Sequence, residues 1–372
     1  MPLNLLHNPL SRMDWSDFLG RPELPGPAPE ALAGLTRRPI LITGAGGSIG
    51  SALALRLAGL APQRLILLDS SESNLYALER DWSEAGMVRA MTPILGSAGD
   101  APLLDDLFAT HQPGLVFHAA AFKHVPLMEA QPLAAIANNI FVTQTLVNAA
   151  AAHDARVVLL STDKAVEPAS VMGATKRVAE QIVLAAGGTA LRLANVLASR
   201  DSVAEVFVRQ IQRGGPLTVT SPAARRYFIT FEEAVNLLLT AGLHPEPAAL
   251  LAPALETPHF IADLARWMAR RLAPSHAIAI EFTGSRPGDK ESERLWLTSE
   301  RTRQAGHDSL IQVESALPDE SQFERALATL RAAHEARDSG AAINSLCALV
   351  PDYTPGHYVL DKARLTDKRV CR

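Results

Sequence analysis

Thr43-Gly44-Ala45-Gly46-Gly47-Ser48-Ile49-Gly50 follows the apolar run Pro39 to Thr43 and opens directly into a helical stretch, Ile49 to Leu60. Glycines at 44, 47 and 50 permit a tight turn, close approach of the backbone to a pyrophosphate, and close helix–strand packing. The helix start at Ser48 and Ile49 favours the anion. A second apolar run, Arg64 to Leu68, leads into Asp69, 19 residues beyond Gly50, where a carboxylate can take the ribose hydroxyls of an adenosine. Asp69 repels a 2′-phosphate, and Ser70 and Ser71 offer it no cationic clamp. NAD is therefore expected over NADP, with Arg64 and Arg80 the cations that bear on the choice. The plain alternative is a tight βα turn followed by a surface aspartate.

Working outward, apolar runs at Met91 to Leu95, Leu115 to His118 and Arg156 to Leu160 alternate with helical spacing, as at Ser73 to Ala85. This rhythm predicts an α/β fold, a Rossmann-type doubly wound parallel sheet. After Leu191 it loosens into short strands at Leu217 to Thr220 and Ile278 to Phe282 and helices at Phe231 to Ala241 and Ile261 to Leu272. That stretch reads as a smaller lobe over the C-terminal strand ends. Pro22, Pro25, Pro27 and Pro29 break any helix before it all begins. The expected division is an N-terminal arm (1–37), a dinucleotide domain (38–193), a partly interleaved substrate lobe (194–317), and a helical extension with a tail (318–372).

The composition suits a soluble globular chain: 372 residues, 48% hydrophobic and 20% charged. It excludes bulk disorder and a disulfide-stapled miniprotein. A net charge of −4 gives no electrostatic case for nucleic acid. Cys347 and Cys371 lack metal-ligand spacing, so no metal site is expected, and they favour a reducing, cytoplasmic setting. Met1 to Gly20 lacks the pattern of a signal peptide. The most membrane-like segment, Ala134 to Ala152, is interrupted by Asn138, Asn139, Gln144 and Asn148, so it reads as a buried helix and not a span.

The strand at Val157 to Leu160 runs into Ser161-Thr162-Asp163-Lys164-Ala165-Val166-Glu167-Pro168-Ala169-Ser170-Val171-Met172-Gly173-Ala174-Thr175-Lys176-Arg177. Other landmarks are His118-Ala119-Ala120-Ala121-Phe122-Lys123-His124-Val125-Pro126, Asn139, Arg192-Leu193-Ala194-Asn195-Val196-Leu197, Arg225-Arg226-Tyr227-Phe228-Ile229-Thr230 and Arg286-Pro287-Gly288-Asp289-Lys290. Over nearly its whole length the chain resembles the extended short-chain dehydrogenase/reductases. More narrowly, it resembles the CapD-like nucleotide-sugar 4,6-dehydratases of bacterial polysaccharide biosynthesis.

The resemblance implies that Thr162, Met172 and Lys176 stand where the superfamily keeps Ser/Thr, Tyr and Lys. A thioether exchanges no proton, so Met172 leaves the usual acid/base position vacant. Long membrane-anchored members carry the same Met with an Asp-Lys pair after the Thr, which here is Asp163-Lys164. Oxidation at sugar C4 acidifies the C5 hydrogen, which leaves with the 6-hydroxyl before C6 is reduced. In that scheme Lys164 is the base at C5, Asp163 the acid at O6, Lys176 holds the nicotinamide ribose, and Thr162 hydrogen-bonds O4. Ala119, Ala120 and Ala121 admit the dinucleotide, and Asn139 bridges backbone or water near the catalytic segment. Lys123, His124, Asn195, Arg226 and Arg286 are the expected substrate contacts, Arg200 is a weaker one, and His118 is structural. Ser97 replaces an aspartate used for adenine. Ala194, Ala198 and Asp201 replace glycines and Asp289 a glutamate, which narrows or re-aims the sugar pocket.

The expected function is NAD-dependent 4,6-dehydration of a UDP-N-acetylhexosamine, UDP-GlcNAc first, with C5 configuration retained. A nucleotide-sugar 4-epimerase is the enzymatic alternative, and a non-catalytic NAD(H)-binding sensor or scaffold the other. Relatives pair through the helices carrying Asn139 and Lys176, so a homodimer or larger assembly is expected, and an aminotransferase suits the 4-keto product. Asp17-Phe18-Leu19-Gly20-Arg21 and Leu349-Val350-Pro351-Asp352-Tyr353 resemble segments that flank the catalytic unit in the long members. The chain thus reads as the catalytic half of a membrane-tethered dehydratase.

Overall fold

The computed structural model describes Leu10 and residues 13–86 and 91–362; Cys371 lies outside them. Strands β1 (Ile40–Thr43), β2 (Leu65–Asp69), β3 (Met91–Leu95), β4 (Leu115–His118), β5 (Arg156–Thr162), β6 (Thr189–Leu193), β7 (Ala249–Pro253), β8 (Arg301–Gln304) and β9 (Leu310–Glu314) form one sheet among the described residues, in the order β8-β9-β7-β6-β5-β4-β1-β2-β3. Neighbours from β7 to β3 are parallel, and β9 and β8 add an antiparallel edge. β1, β2, β4 and β6 are buried at every residue, because helices cover both faces of the sheet. The strand order reverses between β1 and β4. A crevice therefore opens at their C-terminal ends, where the glycine loop and Ala119-Ala120-Ala121 emerge.

The helices used below are α1 (Ser48–Ala58), α2 (Glu72–Glu84), α3 (Val125–Ala130), α4 (Val142–Ala152), α5 (Val171–Ala185), α6 (Phe231–Leu243), α7 (Ile261–Leu272), α8 (Glu320–Glu335) and α9 (Ser339–Leu349). The expected buried helix at Ala134 to Ala152 is a longer rod of Pro132–Ile136, a π turn at Ala137–Phe141, and α4. Among the described residues no helix is long and apolar enough to cross a membrane.

The segment 194–317 is divided in space. β7, β8 and β9 return to the main sheet, while Leu197, Phe207, Leu217, Phe228, Leu264 and Met268 build a second apolar core. The arm belongs to that core. Trp15 stacks on Trp267 of α7 at 5.2 Å, and Arg21 pairs with Glu233, which caps α6. Pro29 does not break a helix as expected; it starts the turn Pro29–Leu32, where position N1 needs no N–H donor.

The extension folds as a helical hairpin, α8 and α9, against the rod and α5. Phe141 meets His334 edge-on at 5.3 Å, and the Arg331 guanidinium lies 4.2 Å over the same ring and donates to Gln144 Oε1 at 2.7 Å. The C-terminal helices thus pack on part of the rod expected to pair with a second copy, and Ala134 and Asn148 on that rod stay exposed.

Candidate active site

The glycine loop is held from both sides. Gly44 has φ 66°, and a Cβ there would lie 2.7 Å from the Ala120 backbone; a Cβ on Gly50 would lie 2.1 Å from the Gly44 carbonyl. A side chain at either position would push β1, α1 and the Ala119-Ala120-Ala121 segment apart. Asp69 Oδ2 accepts the Gly46 N–H and Oδ1 the Ser71 N–H, both at 2.8 Å, so the carboxylate also shapes the loop. Ser70 is exposed beside it. Ser97 Oγ accepts the Gly99 N–H at 3.1 Å. Arg64 precedes β2, at the strand end opposite Asp69, and binds His111 Nδ1 at 2.9 Å. Arg80 faces Asp81 and Glu84 along α2.

β5 delivers the segment that starts at Ser161. Thr162 Oγ1 accepts the Lys164 N–H at 3.3 Å, capping the single turn Asp163–Ala165, and donates to Asp163 Oδ1 at 3.0 Å. Its proton is therefore directed to Asp163 rather than to a sugar O4. Asp163 is fully buried, and Oδ2 has no protein partner among the described residues. Lys164, with 21% of its side chain exposed, faces the crevice and donates to Asp163 Oδ1 at 2.9 Å and Asn195 Oδ1 at 3.0 Å. Asp163 is thus the enclosed member of the pair and Lys164 the partly exposed one.

Met172 and Lys176 lie one turn apart on α5, both buried. Burial lowers the Lys176 ammonium to about 8, Glu180 acting the other way. Its Nζ finds no protein acceptor among the described residues, which fits a group held ready for the hydroxyls of a nicotinamide ribose. His118 is locked between Thr43 Oγ1 (2.7 Å, at Nδ1) and Thr143 Oγ1 (2.9 Å, at Nε2). Thr143 gives its own proton to the Asn139 carbonyl, so Nε2 carries the imidazole hydrogen. Burial, with Lys176 adding to it, brings His118 down to about 3 and keeps it neutral and structural. Asn139 accepts the Phe122 N–H at 2.9 Å and donates to the Phe122 carbonyl and Thr175 Oγ1. It bridges the backbone, as expected.

The expected substrate contacts divide. Asn195 is at Lys164. Arg226 turns inward, giving Nη1 to the carbonyls of Arg225 and Glu291 and Nη2 to that of Lys290. Its fork braces the 290–293 loop and is not free for a diphosphate. Arg286 is exposed and pairs with Asp289 at 3.0 Å. Lys123 donates to the Arg200 carbonyl at 2.7 Å, and His124 Nε2 lies 3.8 Å from Asp201. Ala198 and Asp201 keep left-handed backbone, at φ 63° and 60°, without glycine.

Two carboxylates at the site escaped the sequence reading. Buried Glu293 lies 4.0 Å from both Lys164 Nζ and Arg226 Nε and 2.6 Å from Lys290 Nζ, joining Lys164 to the segment around Arg226 and Lys290. Glu180 accepts from Ser161 at 2.6 Å, from Arg192 through both oxygens at 3.0 Å, and from Arg177 at 3.1 Å. Burial alone would raise its carboxyl, but Arg192 and Arg177 hold it below the usual range. Glu293 lies three residues past Lys290, so extending that landmark would have reached it; Glu180 carried no local signal.

A model of the polysaccharide biosynthesis protein family matches residues 40–315. The chain belongs to that family. It is 38% identical over 298 residues to the capsular polysaccharide biosynthesis protein CapD of Staphylococcus aureus, covering 77% of this chain and 50% of CapD. The chain thus spans about half the length of that relative. A UDP-glucose 4-epimerase of Rickettsia canadensis is 33% identical over 273 residues, 69% of this chain and 76% of the epimerase. Among solved structures, Pen from Bacillus thuringiensis superposes with a TM-score of 0.70 at 26% identity, over 77% of this chain and 90% of Pen. The dTDP-glucose 4,6-dehydratase DesIV of Streptomyces venezuelae, a double mutant solved with NAD bound, gives 0.61 at 20% identity, over 69% and 87%. The family fold is that of the short-chain dehydrogenase/reductases.

Proposed function

We propose that this family member is a 4,6-dehydratase acting on a UDP-N-acetylhexosamine, UDP-GlcNAc to UDP-4-keto-6-deoxy-GlcNAc, with NAD bound throughout and C5 configuration retained. The observation that carries it is Lys164, facing the crevice between Asp163 Oδ1 and Asn195 Oδ1, with Met172 in the tyrosine position. The nicotinamide supplies oxidation at C4 and the matching reduction at C6, leaving the overall reaction redox-neutral. Lys176 holds its ribose, and the Gly44–Gly50 loop and α1 hold its pyrophosphate. Asp69, with Arg64 and Arg80 engaged elsewhere, supports NAD over NADP.

Lys164 is the only member of the Asp163-Lys164 pair that reaches the sugar. Its amine takes the C5 proton, and the resulting ammonium gives a proton to O6 as the C6–O6 bond breaks and water leaves. Asp163 stabilises that ammonium from behind, and Asn195 aims it. Glu293 ties this centre to the loop that carries Arg286 and Lys290. The UDP-glucose 4-epimerase of Rickettsia canadensis keeps 4-epimerisation as a second reading, but rotation of a 4-ketone has no use for the pair. Incubation with UDP-GlcNAc in D₂O, followed by NMR, tests both. A 6-deoxy-4-keto sugar deuterated at C5 is expected. A C4 epimer favours the second reading, and no turnover across UDP- and dTDP-sugars favours a dinucleotide-binding scaffold.

A further inference from the structure

We propose that residues 198–202 form a strap that locks the dinucleotide in its crevice, with Arg200 as the pin. The inference rests on the redox-neutral reading above and names how the cofactor is kept.

After β6 the chain passes through Asn195–Val196 and turns back across the glycine loop. There it is tied to all three segments that flank the crevice. The Arg200 N–H donates to Ser48 Oγ at 3.1 Å, at the first residue of α1. Arg200 Nη1 donates to Asn74 Oδ1 at 2.8 Å, in the first turn of α2, and Asn74 itself packs on Gly46. Lys123, beyond β4, donates to the Arg200 carbonyl at 2.7 Å, and Glu205 accepts the Asp201 N–H at 2.8 Å. Ser48 Oγ, while accepting from the strap, still has its own proton to give a phosphate, and Arg200 has spent one of its five donors.

Ala198 and Asp201 bracket the strap in a left-handed backbone that costs a residue with a Cβ, and the anchors between them hold it there. Where the family resemblance has glycines, these residues leave the strap fewer alternative conformations, so it is stiffer. Release of a dinucleotide requires the three ties to open together. An enzyme that returns its electrons to the same substrate gains from that, since each escape of cofactor strands a turnover.

The test needs no sugar. The full chain is loaded with NADH, freed of excess, and chased with NAD while cofactor fluorescence reports release. Arg200→Ala and Lys123→Met should each speed release about tenfold or more, and the double variant little further, because both open the same strap. Arg200→Lys should fall between. Release within about twofold of wild type in both single variants overturns the proposal, as does a wild-type chain that does not retain NADH. A chain that holds NADH in this strap-dependent way yet converts no UDP-sugar overturns the dehydratase reading and leaves the strap standing. Dehydration with unchanged release in the variants overturns the strap alone.

Discussion

Replacing Glu129 by Gln should change how the fold answers to pH. Glu129 is fully buried in α3; its Oε1 takes the Val171 N–H, at the start of the helix that carries Lys176, at 2.7 Å. Oε2 has no protein partner among the described residues, and neither has the buried Tyr353 hydroxyl, whose ionisation burial and then Glu129 oppose. Burial raises the Glu129 carboxyl from 4.5 to about 7, the Val171 bond offsetting part of the effect. A carboxyl that titrates higher in the folded than in the unfolded chain stabilises the fold through its protonated form. That contribution is complete below about 4.5 and is lost as pH rises through about 7. The gap, at about 1.4 kcal/mol per pH unit, is worth about 3 kcal/mol. Glutamine keeps a carbonyl for Val171 and cannot ionise. With an unfolding entropy of about 2 cal/mol/K per residue, the variant's melting midpoint should gain about 4 °C on wild type between about pH 5 and pH 8. Calorimetry across that range measures it. Midpoints that run parallel for the two proteins refute the reasoning.

Three further outcomes follow from the site. Lys164→Ala should lower dehydration by about a hundredfold or more with the cofactor still bound, measured by product NMR alongside NADH fluorescence. NAD affinity should fall as pH rises through about 8, where Lys176 loses its proton, and should be flat with pH in Lys176→Met; fluorescence titration reads both. Glu180→Gln replaces the carboxylate beside buried Arg192 by a neutral group and should cost about 3 to 5 kcal/mol in urea unfolding; because Glu180 raises Lys176, it should also move the fall in NAD affinity to lower pH.

The inner parallel strands were legible because each is a short apolar run buried on both faces, as Leu115–His118 is; Met91–Leu95, at the sheet edge and only partly covered, also appears with the expected bounds. The edge strand Arg301–Gln304 was not, since all four residues are exposed and carry no apolar pattern. The catalytic segment was legible as a motif, but the order of its groups was not. That Asp163 lies behind Lys164 depends on how the single turn after β5 closes. Likewise Arg226 reads as a phosphate ligand until the 290–291 carbonyls arrive from 64 and 65 residues away. Glu180 meets Arg192 only because α5 lies beside β6. Local pattern reports burial and chain direction; it does not report which distant carbonyl a guanidinium will find.

The hairpin of α8 and α9 has a consequence for how the catalytic helix depends on its surroundings. Part of the surface of the rod and α5 is packed by helices tethered to the same chain, whose effective concentration no dilution lowers. Where a second copy must cover such a surface, the order of the catalytic helix rises and falls with the abundance of the protein. Here part of that support is intrinsic to each molecule, while the exposed Ala134 and Asn148 leave the rod itself open to assembly.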